Sequence, residues 1–221
     1  MYVAASWDYL HISKLLMDHG GDVNIVSSWG ESPLVRAAYY RHYEVFKYLI
    51  LHAPNVDYGK VGKYYGDLLC CASYHGDMVL CQRLVQNLPQ VDVNMKNRDG
   101  KTALNEAVEQ EHLDVFKYLF YNGAKVTNDA DVSCLYNICN RSAIDLTKLG
   151  ANFADLLCHC SLKGDLGLCQ QLIESNPGVQ LNGKNRKNKT ALNVAAEQEQ
   201  FNVLEYLLSI GASWEDINKP I

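Results

Sequence analysis

The strongest constraint in this chain is that part of it is written twice. Residues 67–127 match residues 155–215 at an offset of about 88, with about half of the positions identical. "DLLCCASYHGDMVLCQRLV" answers "DLLCHCSLKGDLGLCQQLI", and "KTALNEAVEQEHLDVFKYL" answers "KTALNVAAEQEQFNVLEYL". Each copy divides again into units of one pattern: a small polar residue, an apolar helix of about eight residues, a short break, a second apolar helix, then Gly-Ala or a proline. The pattern also fits 32–57 and, without its beginning, 4–24. A helix pair this short cannot bury its own apolar stripe, so neighbouring pairs must stack, which predicts an all-α solenoid rather than a globule around one centre.

Local chemistry places the helices. Ser32-Pro33 offers a hydroxyl cap followed by a residue with no N–H to leave unpaired, and Asp67, Thr102, Asp155 and Thr190 stand at the equivalent capping position. In the second helices, apolar residues fall at Val45, Phe46, Leu49 and Ile50, and again at Val115, Phe116, Leu119 and Phe120, the stripe of a helix buried on one side. Gly123-Ala124 and Gly211-Ala212 then supply the residue that ends a helix in the left-handed region.

"SPLVRAAYYRHYEVFKYLI", "KTALNEAVEQEHLDVFKYLFYNGAKV" and "KTALNVAAEQEQFNVLEYLLSIGAS" resemble ankyrin repeats, in which a Thr-Pro-Leu-His start, an Ala-Ala, a Gly-His break and a Gly-Ala-Asp-Val-Asn end recur about every 33 residues. "HGGDVN" at 19–24 and "VDVN" at 91–94 match the end of that signature. The expectation is a single ankyrin-repeat domain over 1–221 with about six stacked helix-turn-helix units, the first incomplete. The approximate boundaries of six such units are 1–24, 25–57, 58–94, 95–127, 153–182 and 183–221, with an irregular one at 128–152 between them, the last two pairing with 58–127 as a duplicated block. In the irregular unit, "SCLYNICNRSAIDLTKLGAN" suggests two clipped helices joined at Asn140-Arg141. The family's first-helix His is replaced by Val35, Cys70, Asn105, Cys158 or Asn193. Its hairpin glycine is kept in Gly30 and Gly100 but becomes Tyr65, Phe153 and Asn188, so those three tips are expected to differ in shape.

Gly100-Lys101-Thr102 imitates the end of a phosphate-binding loop, but such a loop needs a second glycine five positions earlier, where Met95 stands. Its letters recur near Asn188 as part of the repeat, so a nucleotide site is not expected. A net charge of −5 with interspersed signs does not favour nucleic acid or anionic lipid. No apolar run is long enough to cross a bilayer and no signal peptide opens the chain, so an intracellular, cytoplasmic setting without membrane insertion is expected. Eight cysteines show no paired CxxC spacing and suit a reducing compartment. Cys158 and Cys160, two apart on a helix around His159, point to different faces and cannot converge on one ion, so packing is expected and no metal or cofactor. No cysteine has a nucleophile signature, and nothing supplies a recognisable oxyanion site or third partner, so the chain reads as non-enzymatic.

The resemblance implies binding of a protein or peptide on the concave face, through hairpin tips and first helices, by a chain that is monomeric apart from its partner. Aligning the units places Trp7, Trp29, Tyr39, Tyr40, Tyr64, Tyr74 and His75 on that face, with Glu31 and Lys63. Arg98 and Lys101 add a basic tip, repeated at Arg186, Lys187 and Lys189 beside Lys163, and Glu109-Gln110 and Glu197-Gln198 follow. Tyr and Trp bury large area at low rotamer cost, so the aromatic N-terminal half is the expected anchor. Two alternatives remain open: the segment targets a larger effector or enzyme, or it is a substrate of asparagine hydroxylation at Asn24, where "LMDHGGDVN" looks like the family's hydroxylated hairpin.

Overall fold

The computed structural model describes residues 1–53, 55–87, 92–141 and 144–214; Val91 and Glu215, which the sequence assigns to repeat ends, lie outside them. The described residues form α-helices and short 3-10 turns with no strand, arranged as two compact units, 1–124 and 125–221.

In the N-terminal unit eight helices pair in order: α1 (Tyr2–Ser6) with α2 (Leu10–Asp18), α3 (Pro33–Tyr39) with α4 (Tyr43–His52), α5 (Tyr65–Tyr74) with α6 (Met78–Asn87), and α7 (Ala103–Glu109) with α8 (Leu113–Tyr121). The first helices form one row, α1 on α3, α3 on α5 and α5 on α7, and the second helices meet as α2 on α4 and α6 on α8. The expected layering of a solenoid is therefore present within this unit. All eight apolar positions read from the second helices, Val45 to Ile50 and Val115 to Phe120, are buried. Gly123 and Gly211 end their helices at φ 91° and 98°.

Ser32, Thr102 and Thr190 cap as expected, each accepting from the backbone N–H three residues on. The assignment of Asp67 and Asp155 as caps is corrected. Two 3-10 turns (Tyr58–Lys60 and Gly62–Tyr64) run straight into α5, so Asp67 lies inside the first turn, and its carboxylate accepts from Arg98 instead. The second copy repeats this with turns at Leu146–Lys148 and Gly150–Asn152, and with Asp155 facing Arg186. Asp57 and Asp145 each accept the N–H two residues on at the start of these turns, so the duplication reaches back to 57 and 145. Tyr65 and Phe153 are thus helix starts rather than hairpin tips, and those two tips do differ in shape. The third does not. Asn188 adopts φ 60°, near Gly100 at 79°, because an Asn side chain tolerates the left-handed region. Asn97 and Asn185 hold the two tips alike, each Oδ1 accepting two backbone N–H groups at 2.9–3.0 Å.

The C-terminal unit comprises α9 (Asp129–Arg141), α10 (Phe153–Lys163), α11 (Leu166–Ser175), α12 (Ala191–Glu197) and α13 (Phe201–Ser209). Here α9, α10 and α12 pack in series, and α11 packs on α13 and on the turn Leu146–Lys148. In the irregular unit α9 extends to Arg141, and the expectation of two clipped helices fails. Its first helix, at 13 residues, is the longest among the described residues, and two 3-10 turns follow in place of a second. Asp131, fully buried, accepts from the N–H groups of Thr127 and Asn128 and anchors the start of α9.

Thr102→Ala removes one cap and is expected to lower stability by about 1 kcal/mol, whereas Phe116→Ala, which empties a fully buried site, is expected to cost about 3–5 kcal/mol. Urea denaturation followed by circular dichroism measures both; equal effects would contradict the assignment of stability to packing over capping.

Candidate functional site

The aromatic residues singled out by sequence gather on the N-terminal unit, and arginines separate them. Arg98 comes from the hairpin tip before α7, and its guanidinium lies 4.0 Å from the centroid of the Tyr39 ring and 5.0 Å from that of Tyr64. The same guanidinium pairs with Glu31 at 2.7 Å and with Asp67 at 3.2 Å. One side chain therefore ties three successive repeats, with both carboxylates nearly buried. Arg36 repeats the arrangement one layer earlier, 4.7 Å from the Tyr40 ring and paired with Glu31 at 3.0 Å. Arg41 lies 4.1 Å from the Tyr74 ring. Cations stacked on aromatic faces and held by carboxylates cost little rotamer freedom on binding, because the side chains are already placed.

Arg41 also reaches inward. Its Nη2 donates to Glu106 Oε1 at 2.7 Å, and Asn97 Nδ2 donates to the same oxygen at 3.3 Å. Glu106 is fully buried on α7, and its other oxygen has no partner. A buried carboxylate held by one arginine is costly to strip of that partner. Sequence reasoning missed this pair, since 65 residues separate its members. The signal available was the "YYRH" run, where a basic residue follows two tyrosines at a helix end.

The remaining expected residues divide. Trp7 at 67% and Trp29 at 76% exposure present their rings to solvent, while Tyr39 and Tyr40 are partly covered by each other, edge-on at 4.8 Å. The Tyr64 hydroxyl donates to the Trp29 carbonyl at 2.9 Å, which fixes the Trp29 tip. Tyr74 and His75 are half-buried, and the His75 ring stacks on Tyr43 at 4.1 Å. Lys101 is not part of this cluster: it pairs with Glu109 of its own repeat. Trp7 and Tyr40 share an open groove of about 490 Å³ with Tyr2, Val3, Arg36 and His42. Asn24 has its side chain engaged, Nδ2 donating to the Asn55 carbonyl and Oδ1 accepting the Asp57 N–H. Asn182 makes the corresponding bridge to Ser213 in the C-terminal unit.

Among the described residues no three His, Cys, Asp or Glu side chains form a group able to hold a metal ion. Cys70 and Cys158 each donate to a backbone carbonyl, of Lys101 and Lys189, at 3.4 Å. Burial pushes the Cys71 and Cys158 thiols up to about 12, the opposite of a reactive thiolate. No helix among the described residues is long and apolar enough to cross a membrane.

Paired short helices that stack in series, three of the first helices capped by a hydroxyl, define a helical repeat protein. The model of ankyrin repeats (three copies) matches residues 1–61 and 56–130, and the chain belongs to the ankyrin repeat family. The chain is similar to the potassium channel AKT2/3 of Arabidopsis thaliana, 31% identical over 126 residues, covering 57% of this chain and 15% of the channel. It is also similar to the putative ankyrin repeat protein FPV022 of fowlpox virus, 25% identical over 203 residues, covering 91% of this chain and 28% of that protein. It thus spans less than a third of the length of either relative. Among solved structures, the human ASB11 ankyrin repeat domain aligns over 96% of this chain and 97% of that one, at 19% identity and a TM-score of 0.46.

Two predictions follow from the buried polar groups. Arg41→Ala is expected to destabilise the protein by about 3 kcal/mol or more by orphaning Glu106, and adding Glu106→Val is expected to recover most of the loss in urea denaturation. No recovery in the double variant would show that the arginine acts through packing alone. The second concerns His75 and His159, whose pKa values are lowered, in both cases chiefly by burial, with Arg41 and His112 adding to the effect at His75 and Lys163 at His159. The unfolded chain takes up these protons near pH 6.5, before the folded one does, so their contribution to stability is complete above that pH and is lost as pH falls through it. Calorimetry at about pH 7.5 and about pH 5.5 should show a lower melting temperature at the acid pH, and a smaller difference in the variant carrying His75→Gln and His159→Gln.

Proposed function

We propose that this chain is a non-enzymatic interaction module that docks a protein or peptide partner on the face formed by the first helices and hairpin tips of its N-terminal unit, the side that is concave in the ankyrin family. The observation that carries the reading is the open groove beside Trp7 and Tyr40, with Arg36 stacked on one wall and Trp29 exposed at the next tip. Large aromatic surface left in water beside pre-placed arginines has the composition of a binding hot spot rather than of a solvated face. Tyr39, edge-on to Tyr40, and Tyr64, bonded to the Trp29 carbonyl, link this surface to Arg98, which stacks on both rings.

A second reading is favoured by the comparisons. In both relatives the matching part is a minor share of a longer chain, which suits a segment that targets a larger protein to its partner. The two readings share the same docking surface.

Affinity capture with the whole chain, with bound proteins identified by mass spectrometry, supplies the partner. Trp7→Ala and Tyr40→Ala are each expected to weaken that partner by about 2 kcal/mol without shifting the melting temperature. Asp114→Ala, an exposed change on α8, is expected to leave binding intact. Equal losses from all three would remove the basis for this surface.

A further inference from the structure

The duplication lets one position be examined in two versions. In the first copy the space between α5, α7 and the hairpin tip is filled by the chain's own Glu106, held by Asn97 Nδ2 and Arg41, and an opening of only about 10 Å³ remains beside Cys71. In the second copy Val194 stands where Glu106 stood, His159 replaces Cys71 and Leu162 replaces Tyr74. The irregular unit that precedes this copy supplies no arginine at the place of Arg41 and brings Asp129 to the rim instead. The result is an open groove of about 330 Å³ inside the C-terminal unit, lined by His159, Leu162, Asn185, Val194 and Val132 with a charged rim.

Two polar groups of this groove lack an acceptor, and only one of them, Asn185, has a counterpart that bonds Glu106 in the first copy. Asn185 still holds its hairpin through Oδ1, as Asn97 does, but its Nδ2 has no acceptor among the described residues, whereas Asn97 Nδ2 donates to Glu106. His159 lines the groove with Nε2 shielded from water and without a hydrogen-bond partner. An unmet buried donor is costly until something accepts from it. On the rim, Arg186 pairs with Asp155 and Asp129, Lys187 with Asp129, and Lys189 with Glu197. The exposed pairs of Lys187 and Lys189 hold little energy and can rearrange toward an incoming anion.

We propose that this groove binds the carboxylate of an acidic side chain on a partner peptide, seated where Glu106 sits in the first copy. Asn185 Nδ2 donates to one of its oxygens, a rotation of the His159 side chain that uncovers Nε2–H lets it donate to the other, and Val132, Leu162 and Val194 cover its methylene stem. A glutamate fits the depth better than an aspartate, because the first copy fills the same cradle with a glutamate from α7. The site lies in the C-terminal unit and does not rest on the aromatic groove proposed above.

The test is selection of a random twelve-residue peptide library displayed on phage against the full chain, followed by affinity measurement on the selected peptides. The expected outcome is a shared acidic residue whose change to the amide weakens binding about tenfold or more. Asn185→Asp keeps the Oδ1 acceptor of the hairpin but removes the donor, and Val194→Glu supplies an internal carboxylate like that of the first copy. Each is expected to reduce binding of those peptides by about tenfold or more, while Trp7→Ala leaves it unchanged. Melting curves verify that the variants fold, and Asn185→Asp alone decides the matter if Val194→Glu does not. Selection without an acidic consensus, or acidic peptides that bind Asn185→Asp as tightly as the parent chain, would overturn the proposal. Peptides lost through Trp7→Ala alone would also overturn it and would point to the aromatic groove.

Discussion

A helix pair of seven and nine residues, such as α7 with α8, is too short to persist alone in water, and its apolar stripe has nowhere to go but against the next pair. Everything else in each unit is a device for keeping that contact in register. His42 bonds the Ser6 carbonyl and His112 the Tyr74 carbonyl, both at 3.0 Å, so the turn of one repeat is fastened to the first helix of the one before. Asn24 and Asn94 tie the chain between repeats to the far end of the following one. Arg98 fastens three layers at once through Glu31, Asp67 and the Tyr39 ring.

What could be read from the letters is what repeats locally. The hydroxyl caps, the i, i+1, i+4, i+5 stripes and the Gly-Ala stops depend on neighbours within one turn, and all of them stand in the structure as expected. The errors come from partners one repeat or more away. Asp67 and Asp155 look like caps because they open apolar helices, yet each is claimed by an arginine 31 residues on. That spacing recurs in both copies and was the signal that could have revealed it. Asn188 was expected to distort its hairpin, but the bond pattern of Asn185 enforces the same tip that glycine makes in the first copy. The aromatic residues were legible as a group; that arginines would stack between them was not, since stacking depends on which rows the helices form.

The two copies show how one scaffold changes its surface without changing its frame. Hairpin, helix starts, the Asp-Arg pair and the thiol-to-carbonyl bonds are kept from one to the other. The exchanges of Glu106 for Val194, Cys71 for His159 and Tyr74 for Leu162, with no arginine at the place of Arg41, accompany the change from a closed internal pair to an open groove. Removing both members together avoids the penalty of a stranded buried charge, although His159 Nε2 is left buried without a partner in the second copy. The N-terminal unit follows the other course, using its arginines to order aromatic side chains at the surface.

The most direct test of dependence on neighbouring repeats is hydrogen exchange, residue by residue, in the whole chain carrying Leu84→Ala. Leu84 is fully buried on α6, which packs against α8 of the following repeat. Faster exchange is expected in the amides of α8 as well as in α5 and α6, because the following pair loses the wall it leans on. Wild-type exchange throughout α8, with acceleration confined to the mutated pair, would contradict the account.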